Sequence, residues 1–313
     1  MRALITGYSG FVGQHLAARL SALNYEVFGT TRSTDLSSSI IQLLQCNLND
    51  EEGVIRLLNQ VRPNEIYHLA GQSSVHLSWL NKVETFESNA NTTLTFLEAI
   101  RKSIVGQTAK ILTIGSSEEY GKTISASLPI NEYTPTNPIS PYGLSKTTVS
   151  MLARYFYQNH GMHIVHSRPF THIGPGQKLG FVTSDFAKQI ADIEKGLLQP
   201  TLSVGNLESK RDFTDVRDIV VAYQLLLTKG KPGEVYNVCS GKAVAISDIL
   251  QTYIEISTCA HIEVRQDPNK MRPSDFPVYY GDARKITAAT GWNPEISFSD
   301  SLNDILNYWR NCQ

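Results

Sequence analysis

Cysteine is scarce in this chain and forms no recognisable pattern. The 313 residues hold four, Cys46, Cys239, Cys259 and Cys312, with no C-x-x-C pair among them. That excludes a disulfide framework and a zinc knuckle and reads as reduced, structural thiols. Charge of either sign is not in excess: 28 Lys and Arg against 29 Asp and Glu leave a formal charge of -1. Without a basic or acidic footprint, neither nucleic acid nor an anionic membrane is an expected partner. No stretch approaches the ~18 consecutive apolar residues of a membrane span, and RALITGYSG after Met1 lacks the core of a signal peptide. A cytoplasmic protein is expected. Repeats are also missing, and the single low-complexity patch, LSSS at 36–39, is too short to be a linker. What remains is an ordinary globular composition, 41% hydrophobic and 18% charged, with a small molecule as the favoured partner.

What is present is alternation. Short apolar runs at 3–6 (ALIT), 25–28 (YEVF), 65–70 (EIYHLA) and 110–114 (KILTI) read as buried strands. Between them, Val12, Leu16, Leu20 and Leu23, then Phe86, Ala90, Leu94 and Leu97, keep helical spacing. Strand then helix, repeated, predicts an α/β fold with a doubly wound parallel sheet (Rossmann). Past residue 170 the alternation fades and Gly/Pro punctuation rises, which predicts a smaller C-terminal substrate-binding lobe. The expected division is 1–170 for the nucleotide-binding part, with returning segments at about 213–240 and 277–290, and a discontinuous lobe within 171–313.

GYSGFVG sets Gly7, Gly10 and Gly13 between the first strand and first helix. A turn that tight favours residues without a Cβ, whose N–H groups can then approach a pyrophosphate at the helix N-terminus. Cofactor choice falls to the end of the second strand, FGTTRS. There Arg32 is placed to pair with the 2′-phosphate of NADP, while Asp35 is near enough to hold the ribose hydroxyls of NAD. NADP is the expected cofactor, with NAD as the alternative.

SPYGLSKTTVSMLARYF puts Tyr142 and Lys146 four apart at the start of a helix, so both side chains leave one face. A nearby ammonium favours the phenolate; bringing a phenol from ~10 to about 7 takes roughly 4 kcal/mol of differential interaction. GSSEEYG at 115–121 closes a strand whose end opens onto the ligand crevice of such a sheet. Ser116 there can hydrogen-bond the oxygen that Tyr142 protonates.

The glycine turn, HLAGQSS at 68–74, SSEEYG and the Y-x-x-x-K pair together resemble the extended short-chain dehydrogenase/reductase family over almost the whole chain. RPFTHIGPGQ, VGNLESKRDFTDVRD, GEVYNVCSG and MRPSDFP are similar to its branch acting on GDP-linked 6-deoxyhexoses. The resemblance implies reduction of the C4 ketone of GDP-4-keto-6-deoxy-D-mannose to GDP-D-rhamnose. Ser116, Tyr142 and Lys146 are then catalytic, and Glu118 is the base a dehydratase of the branch uses. It implies a cofactor cradle of Gly7, Ser9, Gly10, Phe11, Val12 and Gly13. The other cofactor-binding residues it implies are Arg32, Asn47, Leu48, Leu69, Ala70, Gly71, Gln72, Asn89 and Pro169, with Tyr142 and Lys146. For the substrate it implies Ser74, Ser117, Glu118, Thr171, Val182, Lys188, Arg211, Arg272 and Asp275. Of these the two arginines take the diphosphate by their guanidinium forks, unless they are surface salt bridges with Asp212 or Asp275. Thr171 departs from the family's R-x-F-N, replacing an amide contact by a hydroxyl.

Four alternatives stand beside this reading: a GDP-mannose 4,6-dehydratase, a bifunctional dehydratase/reductase, another sugar-nucleotide epimerase or reductase, and a nucleotide-sensing regulator that kept the fold without catalysis. The Tyr/Lys pair argues against the last. Adjacent Glu118 and Glu119 also have a plain reading as hydrated turn carboxylates. His160, His163 and His166 mimic a metal cluster, but a helix end entering a strand scatters them, and no metal is expected. Trp79, Trp292 and Trp309 read as packing or interface residues. Members of the family pair through helices near 80–102 and 140–160, so the resemblance implies a homodimer.

Overall fold

The computed structural model describes residues 1–32, 38, 41–122, 128–270 and 277–312. Its centre is a seven-stranded parallel sheet. In chain order the strands and helices are β1 (Arg2–Thr6), α1 (Phe11–Ala22), β2 (Glu26–Thr31), β3 (Gln42–Gln45), α2 (Glu51–Val61), β4 (Glu65–His68), α3 (Val75–Leu80), α4 (Lys82–Phe86), α5 (Thr92–Lys102), β5 (Lys110–Ile114), α6 (Pro141–His160) and β6 (His163–Pro169). There follow β7 (Thr171–Ile173), α7 (Val182–Glu194), β8 (Thr201–Val204), β9 (Lys210–Arg211), β10 (Phe213–Asp215), α8 (Val216–Lys229), β11 (Val235–Val238), β12 (Val244–Ala245), α9 (Ile246–Ile256), β13 (Glu263–Gln266), β14 (Val278–Tyr279), α10 (Arg284–Thr290) and α11 (Phe298–Asn311). The sheet runs β3-β2-β1-β4-β5-β6-β11, so its order reverses between β1 and β4. At such a reversal the two connections leave in opposite directions and open a crevice at the carboxyl ends of the strands.

Both faces of the sheet are covered, which is why its strands read as apolar runs without alternation. One core joins Ala3, Ile5 and Tyr67 to Leu16 and Leu20 of α1, Ile219 and Leu226 of α8, and Ile286 of α10. The other joins Leu4, Ile66 and Ile111 to Val54 and Leu58 of α2, Phe96 and Ile100 of α5, and Phe156 of α6. A third core packs α7, α9 and α11 around Phe186, Ile190, Ile249, Tyr253, Leu302 and Ile305, with β8 beside them.

Four local expectations need adjusting. The second strand runs Glu26–Thr31 and the third apolar run ends at His68. The edge strand Gln42–Gln45, paired with β2 in register Phe28 to Gln42, escaped because four residues of QLLQ are too few for a period to show. The helix expected through Phe86 and Leu97 is interrupted by a π-helical turn, Glu87–Asn91. Its inward residue Asn89 accepts from Gln72 N–H (2.7 Å) and donates to Gln72 C=O (3.1 Å) and Ser145 Oγ (2.9 Å). Such turns trade one regular hydrogen bond for the re-aiming of a side chain.

Candidate active site

The β1–α1 turn has the form an anion requires. Gly7 sits at φ +70, and a Cβ there would lie 2.8 Å from Ala70 N; one at Gly13 would lie 2.6 Å from Gly7 O. The first is barred by backbone conformation as well as space, the second by space alone. Helix α1 begins at Gly10 with no side-chain cap and no acid in its first turn. By contrast α2, α6 and α11 are capped by Asp50, Ser140 and Ser297. The N–H groups opening α1 are thus left for an external anion, and the dipole favours one there. A dinucleotide pyrophosphate fits this cradle. Ser9, Phe11 and Val12 line the same turn, and Phe11 stacks on His172 with ring centroids 6.1 Å apart. Arg32 is exposed immediately after β2, while Asn47 and Leu48 follow β3; Asp35 lies outside the described residues.

Three strand ends bring the rest together. Lys146 Nζ donates to Ile114 C=O at the end of β5 (2.9 Å) and lies 3.9 Å from where a Cβ on Gly71 would stand. The loop Leu69–Gln72 after β4 is thereby held between the Gly7 turn and the Lys146 amine. Tyr142 and Lys146 leave the same face of α6, with Nζ 5.8 Å from the phenol ring centroid. Ser116 lies within hydrogen-bond reach of the Tyr142 hydroxyl, and its own Oγ accepts from Glu118 N–H (3.2 Å). Pro169 ends β6 beside this group.

The electrostatics correct one expectation. Burial pushes the Tyr142 phenol well above its usual value of 10.0, the Ser116 hydrogen bond lowers it only in part, and Glu118 and Glu119 raise it further. Lys146 is instead the perturbed base: burial lowers it to about 8, with Glu119 partly restoring it. The phenolate expected from the i, i+4 spacing does not form here, because the ammonium is itself desolvated and bonded to a carbonyl. Tyr142 therefore holds its proton at neutral pH.

The two adjacent glutamates part company. Glu118 is half-buried on the Tyr142 side, with Ser140 Oγ donating to its carboxylate at 3.4 Å. Glu119 is fully buried, the reverse of a hydrated turn residue, and is paired with Arg168 (2.8 Å) and His166 (3.1 Å). His166 also bonds Thr113 (2.8 Å), whereas His160 lies at the end of α6 against Tyr155 and Phe156, so the three histidines are indeed separated. Trp292 is buried and donates to Asp218 C=O (3.0 Å); Trp309 packs on the third core, and Trp79 is 45% exposed.

Among the substrate candidates, Ser117 is buried beside Ser116 and its carbonyl accepts from Tyr279 OH (2.7 Å). Ser74 caps α3 (3.2 Å to Leu77 N) and Val182 opens α7. Thr171 is exposed at the start of β7, and Arg211 lies on β9 with Nη1 donating to Lys210 C=O (2.8 Å). Asp212 does not serve as a surface counter-ion: its buried carboxylate accepts from Ser240 N–H (2.7 Å), Ser240 Oγ (2.6 Å), Gly241 N–H (2.9 Å) and Gly281 N–H (3.2 Å). Lys188 is paired with Asp192 one turn along α7. Asn89, expected on the cofactor, has its amide bonded to Gln72 and Ser145. Arg272 and Asp275 lie outside the described residues.

Sequence reading missed the Glu119–His166–Arg168 cluster, since carboxylate, imidazole and guanidinium stand 47 and 49 residues apart. It also missed Ser140, which caps α6 (3.0 Å to Gly143 N–H). The Ser-Pro pair at 140–141 was the available signal.

Residues 4–305 match the family described as GDP-mannose 4,6 dehydratase. The chain is 36% identical to GDP-6-deoxy-D-mannose reductase of Pseudomonas aeruginosa, over 98% of this chain and 97% of that protein. Human GDP-mannose 4,6 dehydratase is 28% identical, over 97% of this chain and 90% of that one. Among solved structures, RMD from P. aeruginosa complexed with NADPH superposes with a TM-score of 0.86 at 34% identity, covering 99% of this chain and 98% of the other. UDP-glucose 4-epimerase of Thermus thermophilus in complex with NAD gives a TM-score of 0.87 at 26% identity, covering all of both chains.

Proposed function

This chain belongs to the GDP-mannose 4,6-dehydratase family, NAD(P)-dependent oxidoreductases of the extended short-chain dehydrogenase/reductase type, and on that premise we propose that it reduces the C4 ketone of GDP-4-keto-6-deoxy-D-mannose to GDP-D-rhamnose. NADPH supplies the hydride. The observation that carries the reading is the grouping of Ser116, Tyr142 and Lys146 at the end of β5 and the start of α6, beside the glycine turn. Reduction ends by protonating an alkoxide, and Tyr142 is the phenol placed to do so. Ser116 donates to the same sugar oxygen, with its acceptor side already used by Glu118 N–H. Lys146 faces the nicotinamide ribose. The proton lost by Tyr142 is regained from solvent.

Support comes from the similarity to the P. aeruginosa reductase, whose length this chain matches to 97%, and from a structural relative described with NADPH. In this reading Arg32 selects NADP. Residues 1–170, with the segments 213–240 and 277–290, form the cofactor lobe, and the rest of 171–313 holds the GDP-sugar through Arg211 and the 180–190 segment. Glu118 favours a second reading, dehydratase activity, because it is the carboxylate on the Tyr142 side.

The homodimer belongs to the same proposal. Helices α3, α4 and α6 expose Leu80 (66%), Val83 (72%), Leu144 (52%) and Met151 (64%), and Val83 and Leu144 line, with Trp79, Phe86, Pro138 and Ile139, a groove of about 610 Å³. A second copy covering these residues would remove from water a contiguous apolar surface of the kind stable monomers seldom expose. No described helix is long and apolar enough to cross a membrane.

The test is to supply GDP-4-keto-6-deoxy-D-mannose with NADPH, follow cofactor oxidation, and identify the product sugar. Expected is stoichiometric GDP-D-rhamnose and no turnover of GDP-mannose alone. Binding of both ligands without oxidation of the cofactor would favour a sensing role and defeat the proposal.

A further inference from the structure

Ser116 is carried on a single 3₁₀ turn, Ser117–Glu119, between β5 and a loop. An isolated turn of three residues has little stiffness of its own. Yet the hydroxyl it carries must be held to within about 0.5 Å of its working position against the Tyr142 phenol. The turn is pinned from behind by Glu119. Its Oε1 accepts from the Ser116 N–H (3.0 Å) and from His166 Nε2 (3.1 Å), and its Oε2 accepts from Arg168 Nε (2.8 Å).

The residues around this carboxylate are built for it. Gly115 leaves the space: a Cβ there would fall 2.0 Å from Glu119 Oε1 and 2.3 Å from His166 Nε2. Because an ionised carboxylate only accepts, His166 Nε2 is the donor toward Glu119, and the Nδ1 of the neutral ring accepts from Thr113 on the other side (2.8 Å). Arg168 extends the cluster to Tyr120 OH (3.2 Å) and Ser150 on α6 (3.3 Å), with its guanidinium 4.8 Å from the Tyr120 ring centroid, and Tyr120 in turn donates to Asn237 (2.7 Å) on β11. Arg168 supplies the counter-charge. Burial opposes ionisation of Glu119, but His166 and Arg168 outweigh it and hold the carboxyl below its ordinary value. Burial likewise keeps His166 neutral.

We propose that Glu119 is a positioning residue for the reduction: a buried, Arg168-neutralised carboxylate that clamps the Ser116 amide and thereby holds the Ser116 hydroxyl against the Tyr142 phenol and the substrate oxygen. The proposal rests on the reductase reading and adds to it a residue that touches neither cofactor nor sugar. A buried ion pair by itself is weak ground for a role. What singles this one out is that one of its three bonds ends on the backbone of the serine that pairs with the phenol.

Because Glu119 acts through Ser116, its effect vanishes once Ser116 has no hydroxyl to place. Steady-state kinetics on the ketone with NADPH are compared for the parent, Glu119→Gln, Ser116→Ala and the double variant. Expected is a loss of roughly 10- to 100-fold in kcat for Glu119→Gln, in line with the cost of a misplacement of about 1 Å, with KM for NADPH changed by less than about twofold. In the Ser116→Ala background the same substitution changes kcat by less than about twofold. Losses that multiply in the double variant, or a raised KM with kcat intact, overturn the proposal. If Glu119→Gln leaves Arg168 uncompensated and the chain does not fold, Glu119→Gln with Arg168→Met removes both charges and repeats the comparison. Should the parent fail to oxidise NADPH with this ketone, the reductase reading falls by itself, and a crystal structure of Glu119→Gln decides the present one. Ser116 Oγ displaced from the Tyr142 hydroxyl supports it; an undisturbed pair refutes it.

Discussion

Lys146→Met gives the sharpest physical test of the site, because the perturbed group is the amine and not the phenol. Burial lowers Lys146 from its ordinary 10.5 to about 8. At about 1.4 kcal/mol for each pH unit, that drop means the folded state carries a penalty of about 3 kcal/mol whenever the amine is charged. Below pH ~8 the lysine is protonated in both folded and unfolded chains and the whole penalty is present. Between ~8 and ~10.5 the unfolded chain holds the extra proton, so folding stability gained from this group rises with pH until the penalty is gone. Methionine of similar length carries no penalty at any pH, but it leaves the Ile114 carbonyl without its 2.9 Å partner, which costs roughly 1–3 kcal/mol. The variant is therefore expected to be at least as stable as the parent at pH 7 and less stable at pH 10.5. The difference between the two shifts by about 3 kcal/mol across the window, whatever the carbonyl costs. Urea unfolding of the cofactor-free proteins, followed by the fluorescence of buried Trp292, measures it at several pH values. Parallel stability curves for the two proteins would refute the reasoning, since Lys146 would then bear no burial penalty. The same substitution abolishes most turnover, a trade of stability for function that active sites commonly make.

Tyr142→Phe removes the proton donor and is expected to lower kcat by roughly 10²- to 10⁴-fold with NADPH affinity intact; near-parent turnover would defeat the assigned role. Arg32→Ala should weaken NADPH far more than NADH in fluorescence titrations, and equal losses would remove the argument for a 2′-phosphate partner. Glu118→Gln is expected to abolish any release of water from GDP-mannose while sparing most ketone reduction; matched loss of both would make it an ordering residue. Val83→Asp, placing a charge in the exposed apolar face, should shift sedimentation from dimer to monomer, and an unchanged coefficient would point to another interface.

The periodicity of the chain contained most of the sheet. Runs such as ALIT and KILTI are apolar on both faces because both faces are covered, so β1 and β5 were legible directly. The glycine turn and the Tyr142–Lys146 spacing were equally plain, since both are local: a missing Cβ and an i, i+4 face are properties of a few consecutive residues. β3 was not legible, because four residues at a sheet edge are defined by the β2 strand they pair with. The state of Tyr142 and Lys146 was also beyond local reading. Spacing placed an ammonium near a phenol and pointed to a phenolate. Burial, the Ile114 carbonyl and two carboxylates, brought in from β5 and its following turn, left the phenol protonated and the amine weakened. The same holds for Glu119, one of two adjacent and chemically identical side chains in sequence. Only the packing of β6 against β5, which brings His166 and Arg168 to it, makes it a buried clamp while Glu118 stays at the site. Local sequence determined which groups this protein has to work with; tertiary contact decided which of them carry charge, because solvation and long-range pairing are set by neighbours that the chain reaches only by folding.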